Sequence, residues 1–200
     1  LAPKAVVLSG GPASVFSDDA PKLNAALLEL GVPVLGICYG LQLLMQALGG
    51  GVEAAARHEA GREYGRAELV RSDLVDPLLE GVPSPSTVWM SHGDLIAKLA
   101  PGFEVIATSA NCAFAAVRDR ERRLWGIQFH PEVAHTEHGA RLLENFLLNV
   151  AGLHGSWTMD EFISSQIASL RQRIGERSVV CGVSGGVDST VVAVLLHRAI

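Results

Sequence analysis

The sequence has 200 residues, of which 48% are hydrophobic, so it can bury a sizeable core and is not typical of a disordered chain. Its formal net charge is −5 and it has no basic run, which argues against a nucleic-acid partner or an acidic membrane surface. The three cysteines, Cys38, Cys112 and Cys181, are far apart, so the spacing predicts neither a disulfide framework nor a zinc site and favours a reducing, cytoplasmic setting.

The first fifty residues alternate between strand and helix patterns. Residues 4–12 (KAVVLSGGP) read as a buried strand with a glycine turn, and residues 18–31 read as a helix with Asp19 as N-cap and Gly31 at its end. A second strand follows at residues 32–37 and a second helix at 39–50. This order predicts βαβ units and a parallel sheet. The uncharged stretch between Glu29 and Glu53 is broken by Pro33 and several glycines, so it does not indicate a membrane span.

The pattern changes after residue 85, where strand-like runs follow one another at residues 86–92, 104–110, 113–119 and 124–130. Residues 136–152 then predict a helix whose apolar stripe consists of Leu142, Leu143, Phe146, Leu147 and Val150. Residues 152–156 read as a linker. Beyond it, Thr158 and Glu161 form a capping-box pattern at the start of a helix, residues 178–183 (SVVCGV) predict a buried strand, and residues 190–200 predict another helix.

Cys38 stands between Gly36 and Gly40 at the junction of a predicted strand and a predicted helix. A G-x-C-x-G pattern there suits a nucleophile on a tight turn, because the glycines leave room for the backbone segments that crowd the turn. A helix N-terminus also stabilises a thiolate. Taken alone, the pattern is equally compatible with a buried, inert cysteine.

A base for this thiol is available in the motif QFHPE, residues 128–132. His130 and Glu132, with Pro131 fixing the backbone between them, complete a Cys-His-Glu triad, although an isolated histidine is more often a satisfied core or turn residue. His130, Glu132, His135 and His138 also resemble metal ligands, but their spacing fits no zinc motif. The sequence therefore predicts no protein-bound transition metal. The backbone N–H groups of Ser9-Gly10-Gly11-Pro12, with that of Tyr39, are candidates for an oxyanion hole.

Four motifs, LSGGP, GICYGLQ, SHGD and HPE, occur in this order between Leu8 and Glu132 and resemble the class I (triad-type) glutamine amidotransferases. The resemblance implies a flavodoxin-like, three-layer α/β domain. It also implies that Cys38 attacks the glutamine amide, that His130 passes the proton to the leaving ammonia, and that Glu132 orients His130. Residues 62–69 (REYGRAEL) resemble the family too and read as strand and turn support.

The resemblance assigns further roles around the substrate. The N–H groups of Gly11 and Tyr39 would form the oxyanion hole, and Asp94 is the candidate partner of the substrate's α-ammonium group. For His92 a structural role is at least as plausible as substrate contact. The implied glutamine-binding residues are Gly10, Gly11, Gln42, Ser91, His92, Gly93 and Asp94.

A second glycine motif, SGGVDS at residues 184–189, follows the predicted strand and opens the last helix. Glycines at a helix N-terminus are typical of a phosphate site, but the G-K-[ST] ending of a Walker A loop is missing. The motif resembles the PP-loop of the ATP pyrophosphatases. That resemblance implies that ATP, with Mg²⁺ near Asp188, is held by Ser184, Gly185, Gly186, Val187, Asp188 and Ser189.

A triad amidotransferase followed by a PP-loop resembles the GMP synthetase family over essentially all 200 residues, with one departure at Cys181, where an aliphatic residue is usual. The implied substrates are glutamine, ATP and xanthosine monophosphate (XMP), in a cytoplasmic homodimer. The implied domains are an amidotransferase domain at 1–151, a linker at 152–156 and, at 157–200, the beginning of an adenine-nucleotide α-hydrolase-like α/β domain. We expect a fragment cut at both ends. The alternatives are the glutaminase component of another triad-type amidotransferase and a catalytically silent domain.

Overall fold

The computed structural model describes residues 2–54, 63–155 and 158–200, and the chain divides into two units between Leu153 and His154. Residues 55–62, which include Arg62 of the REYGRAEL motif, and residues 156–157, which include the end of the predicted linker, lie outside the described ranges. None of the helices in these ranges has the length and hydropathy needed to span a lipid bilayer.

Nine strands are described in the first unit: β1 (Val6–Leu8), β2 (Val34–Ile37), β3 (Gly51–Ala54), β4 (Glu63–Arg71), β5 (Ser86–His92), β6 (Asp94–Lys98), β7 (Glu104–Thr108), β8 (Ala116–Asp119) and β9 (Leu124–Ile127). Seven of them form one sheet in the order β1-β2-β9-β8-β7-β4-β5. The pairs β1–β2 and β2–β9 are parallel, and the remaining pairs of this sheet are antiparallel. β3 and β6 form a separate antiparallel pair. The predicted βαβ start is confirmed, and the later strand-like runs form the antiparallel part of the sheet.

The described part of the first unit contains the α-helices α1 (Tyr39–Ala47) and α2 (Gly139–Asn145), together with 3₁₀ helices at Ala25–Leu30 and Pro77–Leu79. The large sheet lies between two hydrophobic clusters, because successive side chains of a strand point to opposite faces. On β2, Val34 packs with Leu41 and Leu44 of α1, whereas Leu35 packs with Leu142 of α2 and the following Phe146. The predicted three-layer α/β fold is confirmed.

The first predicted helix is shorter and begins later than expected. Asp19 is not its N-cap; the helix is the 3₁₀ segment Ala25–Leu30, and the Asn24 side chain caps it by accepting a 3.1 Å hydrogen bond from the N–H of Ala26. Asn24 directly precedes the apolar run, which is where a capping side chain can reach the first free N–H groups. The predicted end is confirmed, since Gly31 has a left-handed φ of +66°.

The predicted helix over residues 136–152 changes geometry near its end. α2 continues into a π-helical turn at Phe146–Val150, where the Ala151 N–H donates to the Phe146 carbonyl at 2.8 Å. A wider turn rotates the residues that follow it, so the apolar stripe shifts. Leu142 and Phe146 are buried as predicted, but Leu147 is 43% exposed and does not belong to the stripe.

The second unit contains α3 (Met159–Ile174) and α4 (Val187–Ala199). The predicted cap of α3 is confirmed, because the Glu161 N–H donates to Thr158 Oγ1 at 3.1 Å. The predicted buried strand at residues 178–183 is wrong: no strand is assigned there, Val180 is 99% exposed and Cys181 is exposed. A strand needs a hydrogen-bonded neighbour, and none of the described strands pairs with this segment. α4 exposes apolar side chains, among them Val191, Val192 and Val194.

Candidate active site

Cys38 occupies the sharp turn between β2 and α1. Its φ of +48° and ψ of −104° are rare for a residue with a side chain, and such strain persists only where the surroundings enforce it. The enforcement is visible in two backbone hydrogen bonds: the Cys38 N–H donates to the Ile127 carbonyl at 2.7 Å, and the Cys38 carbonyl accepts from the Gln42 N–H at 3.1 Å. The turn therefore fixes the direction of the thiol.

The flanking glycines are required by close backbone contacts. A Cβ atom on Gly36 would lie 2.7 Å from the Leu41 nitrogen, and a Cβ atom on Gly40 would collide with the Leu8 carbonyl oxygen. Both obstacles are backbone atoms, which cannot swing aside as a side chain can. The steric reason predicted for the G-x-C-x-G pattern is therefore confirmed.

His130 and Glu132 lie beside this thiol. His130 Nδ1 is 2.7 Å from Glu132 Oε1, which leaves the other ring nitrogen for Cys38. The hydrogen bond with Cys38 raises the pKa of His130 to about 9, against the effect of burial and with help from Glu132. At neutral pH the histidine is therefore protonated, and it lies next to the sulfur for which it would act as the acid–base partner.

A cavity of about 800 Å³ opens in front of the three groups. It brings together residues from six separate parts of the chain, so the arrangement exists only in the folded state. The predicted residues that line it are Gly10, Gly11, Cys38, Gln42, Ser91, His92, Gly93, Asp94, His130 and Glu132. Tyr39 does not line the cavity with its side chain, whose hydroxyl donates to the Pro21 carbonyl at 2.6 Å. Only the backbone N–H of Tyr39 is left for the predicted oxyanion hole.

Asp94 is held in place from two directions. The Gln42 side-chain amide donates to the Asp94 backbone carbonyl at 2.8 Å, and Ser14 Oγ donates to Asp94 Oδ2 at 2.5 Å. The carboxylate is thereby turned into the cavity, where a substrate ammonium group could meet it. Ser14 is a site residue that the sequence reasoning missed, because it lies in a loop outside every motif.

His92 faces the protein with both ring nitrogens. Nδ1 is 3.1 Å from the Asp94 carbonyl oxygen, and Nε2 is 3.3 Å from Glu63 Oε2, although these two atoms are not aligned as a hydrogen bond. Burial lowers the pKa of His92, and Glu63 partly opposes this effect. Burial also raises the pKa of the neighbouring Cys112 thiol to about 12, so Cys112 stays protonated. These contacts favour a supporting role for His92 beneath the Ser91–Asp94 segment.

Gln128 is a second residue that the sequence reasoning missed. In the sequence it stands only as the first letter of QFHPE, yet its side chain is fully buried and Nε2 lies 3.6 Å from the Cys38 sulfur. The signal available in the sequence was a glutamine at the end of an apolar strand. Only the fold shows that its side chain faces the thiol.

The second unit carries the glycine loop at the N-terminus of α4. Gly185 has a φ of +85° and Gly186 is the N-cap, so the backbone N–H groups of the first helical turn point outwards, as they do in anion sites. Ser184 Oγ lies 3.1 Å from Ser189 Oγ and accepts from the Gly186 N–H, which ties the two ends of the loop together. Asp188 lies in the first turn, where its carboxylate could bind a cation.

Comparisons with known proteins found family matches for both units of the chain. A family model described as class-I glutamine amidotransferase matches residues 1–150, and one described as NAD synthase matches residues 159–200. The Enterococcus faecalis protein named GMP synthase [glutamine-hydrolyzing] is 49% identical over 201 residues, which cover all of this chain and 38% of that protein. The protein of the same name from Staphylococcus aureus strain Newman is 50% identical over 198 residues, 99% of this chain and 37% of that protein. The chain thus spans well under half the length of these relatives.

Solved structures also match this chain. A Thermoplasma acidophilum protein, provisionally assigned as one subunit of a GMP synthase, is 31% identical with a TM-score of 0.59, over 74% of this chain and 73% of that chain. A glutamine amidotransferase from Thermotoga maritima shares the fold with a TM-score of 0.55 at 22% identity, over 98% of this chain and 76% of that chain. Because the amidotransferase model matches 150 of the 200 residues and the motifs meet in one cavity, the chain belongs to the class-I glutamine amidotransferase family.

Proposed function

We propose that the protein that carries this chain is a glutamine-hydrolysing GMP synthase, which makes GMP from XMP, ATP and glutamine. The observation that carries the proposal is the combination of a Cys-His-Glu site in the first unit with an SGGVDS loop in the second. The names of the Enterococcus and Staphylococcus relatives support it.

The first half of the reaction would take place at Cys38. The thiolate attacks the carbonyl carbon of the glutamine side chain, and the N–H groups of Gly11 and Tyr39 stabilise the resulting oxyanion. His130 gives its proton to the leaving ammonia, a step for which its raised pKa of about 9 prepares it. His130 then takes a proton from the water that hydrolyses the thioester, and Glu132 keeps the imidazole in position throughout. Glutamate and ammonia are the products.

Substrate binding would rest on the residues that line the cavity. Asp94 holds the α-ammonium group, and Gly10, Gln42, Ser91 and Gly93 surround the rest of the glutamine. The Ser14 hydroxyl, which now bonds to the Asp94 carboxylate, has to share or yield that oxygen when the ammonium group arrives.

The second half of the reaction would use ATP at residues 184–189. Ser184, Gly185, Gly186, Val187 and Ser189 hold the pyrophosphate portion, and Asp188 holds the accompanying Mg²⁺, which neutralises phosphate charge. ATP adenylates the C2 oxygen of XMP with release of pyrophosphate, and ammonia then displaces AMP. Making ammonia within the protein supplies the nucleophilic form directly, whereas ammonium, the main form in solution at neutral pH, is a poor nucleophile.

The remaining parts of the proposal follow the sequence expectations. We place the amidotransferase domain at residues 1–151, the linker at 152–156 and the beginning of the ATP pyrophosphatase domain at 157–200. The protein would need no bound transition metal, would form a homodimer through residues outside this chain, and would work in the cytoplasm. The three free cysteines support a reducing location.

The test is pyrophosphate release by the purified protein with Mg²⁺, ATP and glutamine, measured with and without XMP. Release that depends on XMP and is accompanied by GMP is the expected result. Glutamine hydrolysis without XMP-dependent pyrophosphate would refute the acceptor and leave another triad-type amidotransferase. Absence of both activities would favour a catalytically silent domain.

A further inference from the structure

We propose that Gln128 is a further catalytic residue, whose side-chain amide donates a hydrogen bond to the thiolate of Cys38. The inference rests on the proposed function in one respect, that Cys38 is the nucleophile. It assigns to Gln128 the task of holding the sulfur in its reactive, charged form.

The position of Gln128 is fixed by the sheet. The residue directly follows β9, its backbone N–H donates to the Ala115 carbonyl at 2.9 Å, and its side chain is fully buried. Because the backbone is anchored two residues before His130, Gln128 and the base approach the sulfur from the same strand end. Gln128 Nε2 lies 3.6 Å from Cys38 Sγ, which is within hydrogen-bond range for sulfur.

The other polar contact of the sulfur cannot serve a thiolate. Cys38 Sγ lies 3.7 Å from the Ser91 carbonyl oxygen, which can accept a hydrogen bond from a neutral thiol but repels a thiolate. Among the described residues, His130 and Gln128 are the groups that can donate to the charged sulfur. When His130 gives up its proton to ammonia, Gln128 remains as a donor.

The amide oxygen of Gln128 indicates that a glutamine is present here for function rather than for stability. Its Oε1 atom is buried and has no hydrogen-bond partner among the described residues, so half of the amide group is buried at a cost. A core position chosen for stability alone would favour an apolar side chain of the same length. The opposite orientation of the amide would place its oxygen against a thiolate, so the donor must face the sulfur.

A neutral donor suits this reaction better than a charged one. An amide N–H stabilises the thiolate but does not transfer its proton to another group. His130 therefore stays the group that delivers the proton to the leaving ammonia. The sulfur leaves again as a thiolate when water hydrolyses the thioester, and the same donor stabilises it a second time. No proton or bond of Gln128 changes in either step.

The test is the pH profile of Cys38 alkylation by iodoacetamide, followed by mass spectrometry of the Cys38 peptide, in the wild type and in Gln128→Met. Methionine keeps the length of the side chain and removes the donor. We expect the alkylation rate of Cys38 at neutral pH to fall about tenfold in Gln128→Met, because less of the sulfur is present as thiolate. The exposed Cys181 is an internal reference in the same tube, and its profile should stay fixed.

Other titratable groups near Cys38 also influence its alkylation, so the comparison needs a control variant in which they are unchanged. The titratable groups that line its cavity are His92 and Asp94 on β5 and β6, Tyr64 on β4, and His130 and Glu132 after β9; Tyr39 on α1 is its neighbour in the chain. Gln46→Met, at an exposed position of α1, is the matched control because it makes the same chemical change away from the site. It should leave the alkylation profile where it is in the wild type.

Two further measurements keep the outcome clear. Thermal unfolding of Gln128→Met should have a midpoint equal to or above that of the wild type, since the substitution removes an unpartnered buried carbonyl. Glutamine hydrolysis should lose about tenfold in kcat with KM changed less. An unshifted alkylation profile in folded Gln128→Met would overturn the inference. A wild type that is alkylated normally but does not hydrolyse glutamine would instead refute the proposed function.

Discussion

Cys38 has a backbone conformation that side chains seldom adopt, and its neighbours in the turn hold it there. The strain has a chemical use: it directs the sulfur into the cavity instead of into the core that surrounds the rest of the residue. The imidazole of His130 and the amide of Gln128 then meet the sulfur from the end of β9. Reactivity at this position is therefore a property of the turn and of its partners together.

The protonation of His130 depends first on Cys38. Loss of this partner removes the largest contribution that stabilises the imidazolium, so the ring should lose its proton at a lower pH. In ¹H–¹⁵N spectra of the imidazole, the titration midpoint of His130 should be about 9 in the wild type and should fall in Cys38→Ala. In Glu132→Gln it should fall less. An unchanged midpoint in Cys38→Ala would show that the two side chains do not interact.

Gly10 lies where the base and the nucleophile meet. A Cβ atom there would be 2.7 Å from His130 Cε1 and 3.6 Å from the Cys38 Cβ atom, so Gly10→Ala must displace the imidazole. A displacement of this kind should lower the kcat of glutamine hydrolysis by about a hundredfold. Gly11→Ala should cost less than Gly10→Ala, because the nearest atom to its new Cβ lies 4.0 Å away. Equal losses in the two variants would contradict the steric explanation.

At the scale of elements, α1 is packed closely against the ends of β1 and β2. Gly40 lets α1 lie directly against the end of β1, and a methyl group there would press on the Leu8 carbonyl. Gly40→Ala should therefore reduce the free energy of unfolding by about 1–3 kcal/mol, the usual cost of overpacking. Urea unfolding measures this. Gly155→Ala, with nothing within 4 Å of the new methyl group, is the control and should change the stability little.

The sequence predicted those elements whose signals are local. β2, α1 and β5 follow from apolar runs with clear ends, and the triad follows from motifs at the ends of strands. β3 and β6 were missed because their pairing joins residues far apart in the chain. The same reason hides Ser14, Gln128 and the pairing of Glu63 with His92, since each acts through a contact across the fold.

Local sequence propensity gave wrong predictions where contacts with distant parts of the chain determine the secondary structure. Residues 178–183 have the composition of a buried strand, but no described strand lies beside them to complete the hydrogen bonds. Asp19 resembles an N-cap in the sequence, but the helix begins at Ala25 and is capped by Asn24. Such alternatives are decided by neighbours in space, which a single sequence does not show.

At the scale of the whole molecule, the two units should have separable activities. Cys38→Ala should abolish GMP synthesis from glutamine and retain synthesis from an added ammonium salt, because ammonia is then supplied directly. Asp188→Ala should remove synthesis from both nitrogen sources. GMP formation with each source measures the difference. Cys181→Ala, at an exposed cysteine, should behave as the wild type does. Loss of both activities in Cys38→Ala would indicate that Cys38 is structural, and retained ammonia-dependent activity in Asp188→Ala would refute the ATP site.

The hydrophobic cores of the first unit are formed by residues of that unit. As far as the described residues go, both clusters draw every member from the chain before Leu153. Cutting or joining a gene at this point would therefore break no core, so the first unit could be encoded as a separate polypeptide or as part of a fusion. The Thermoplasma protein, described as one subunit of a GMP synthase, matches 74% of this chain. A unit with its own cores can in this way be joined to different partner domains.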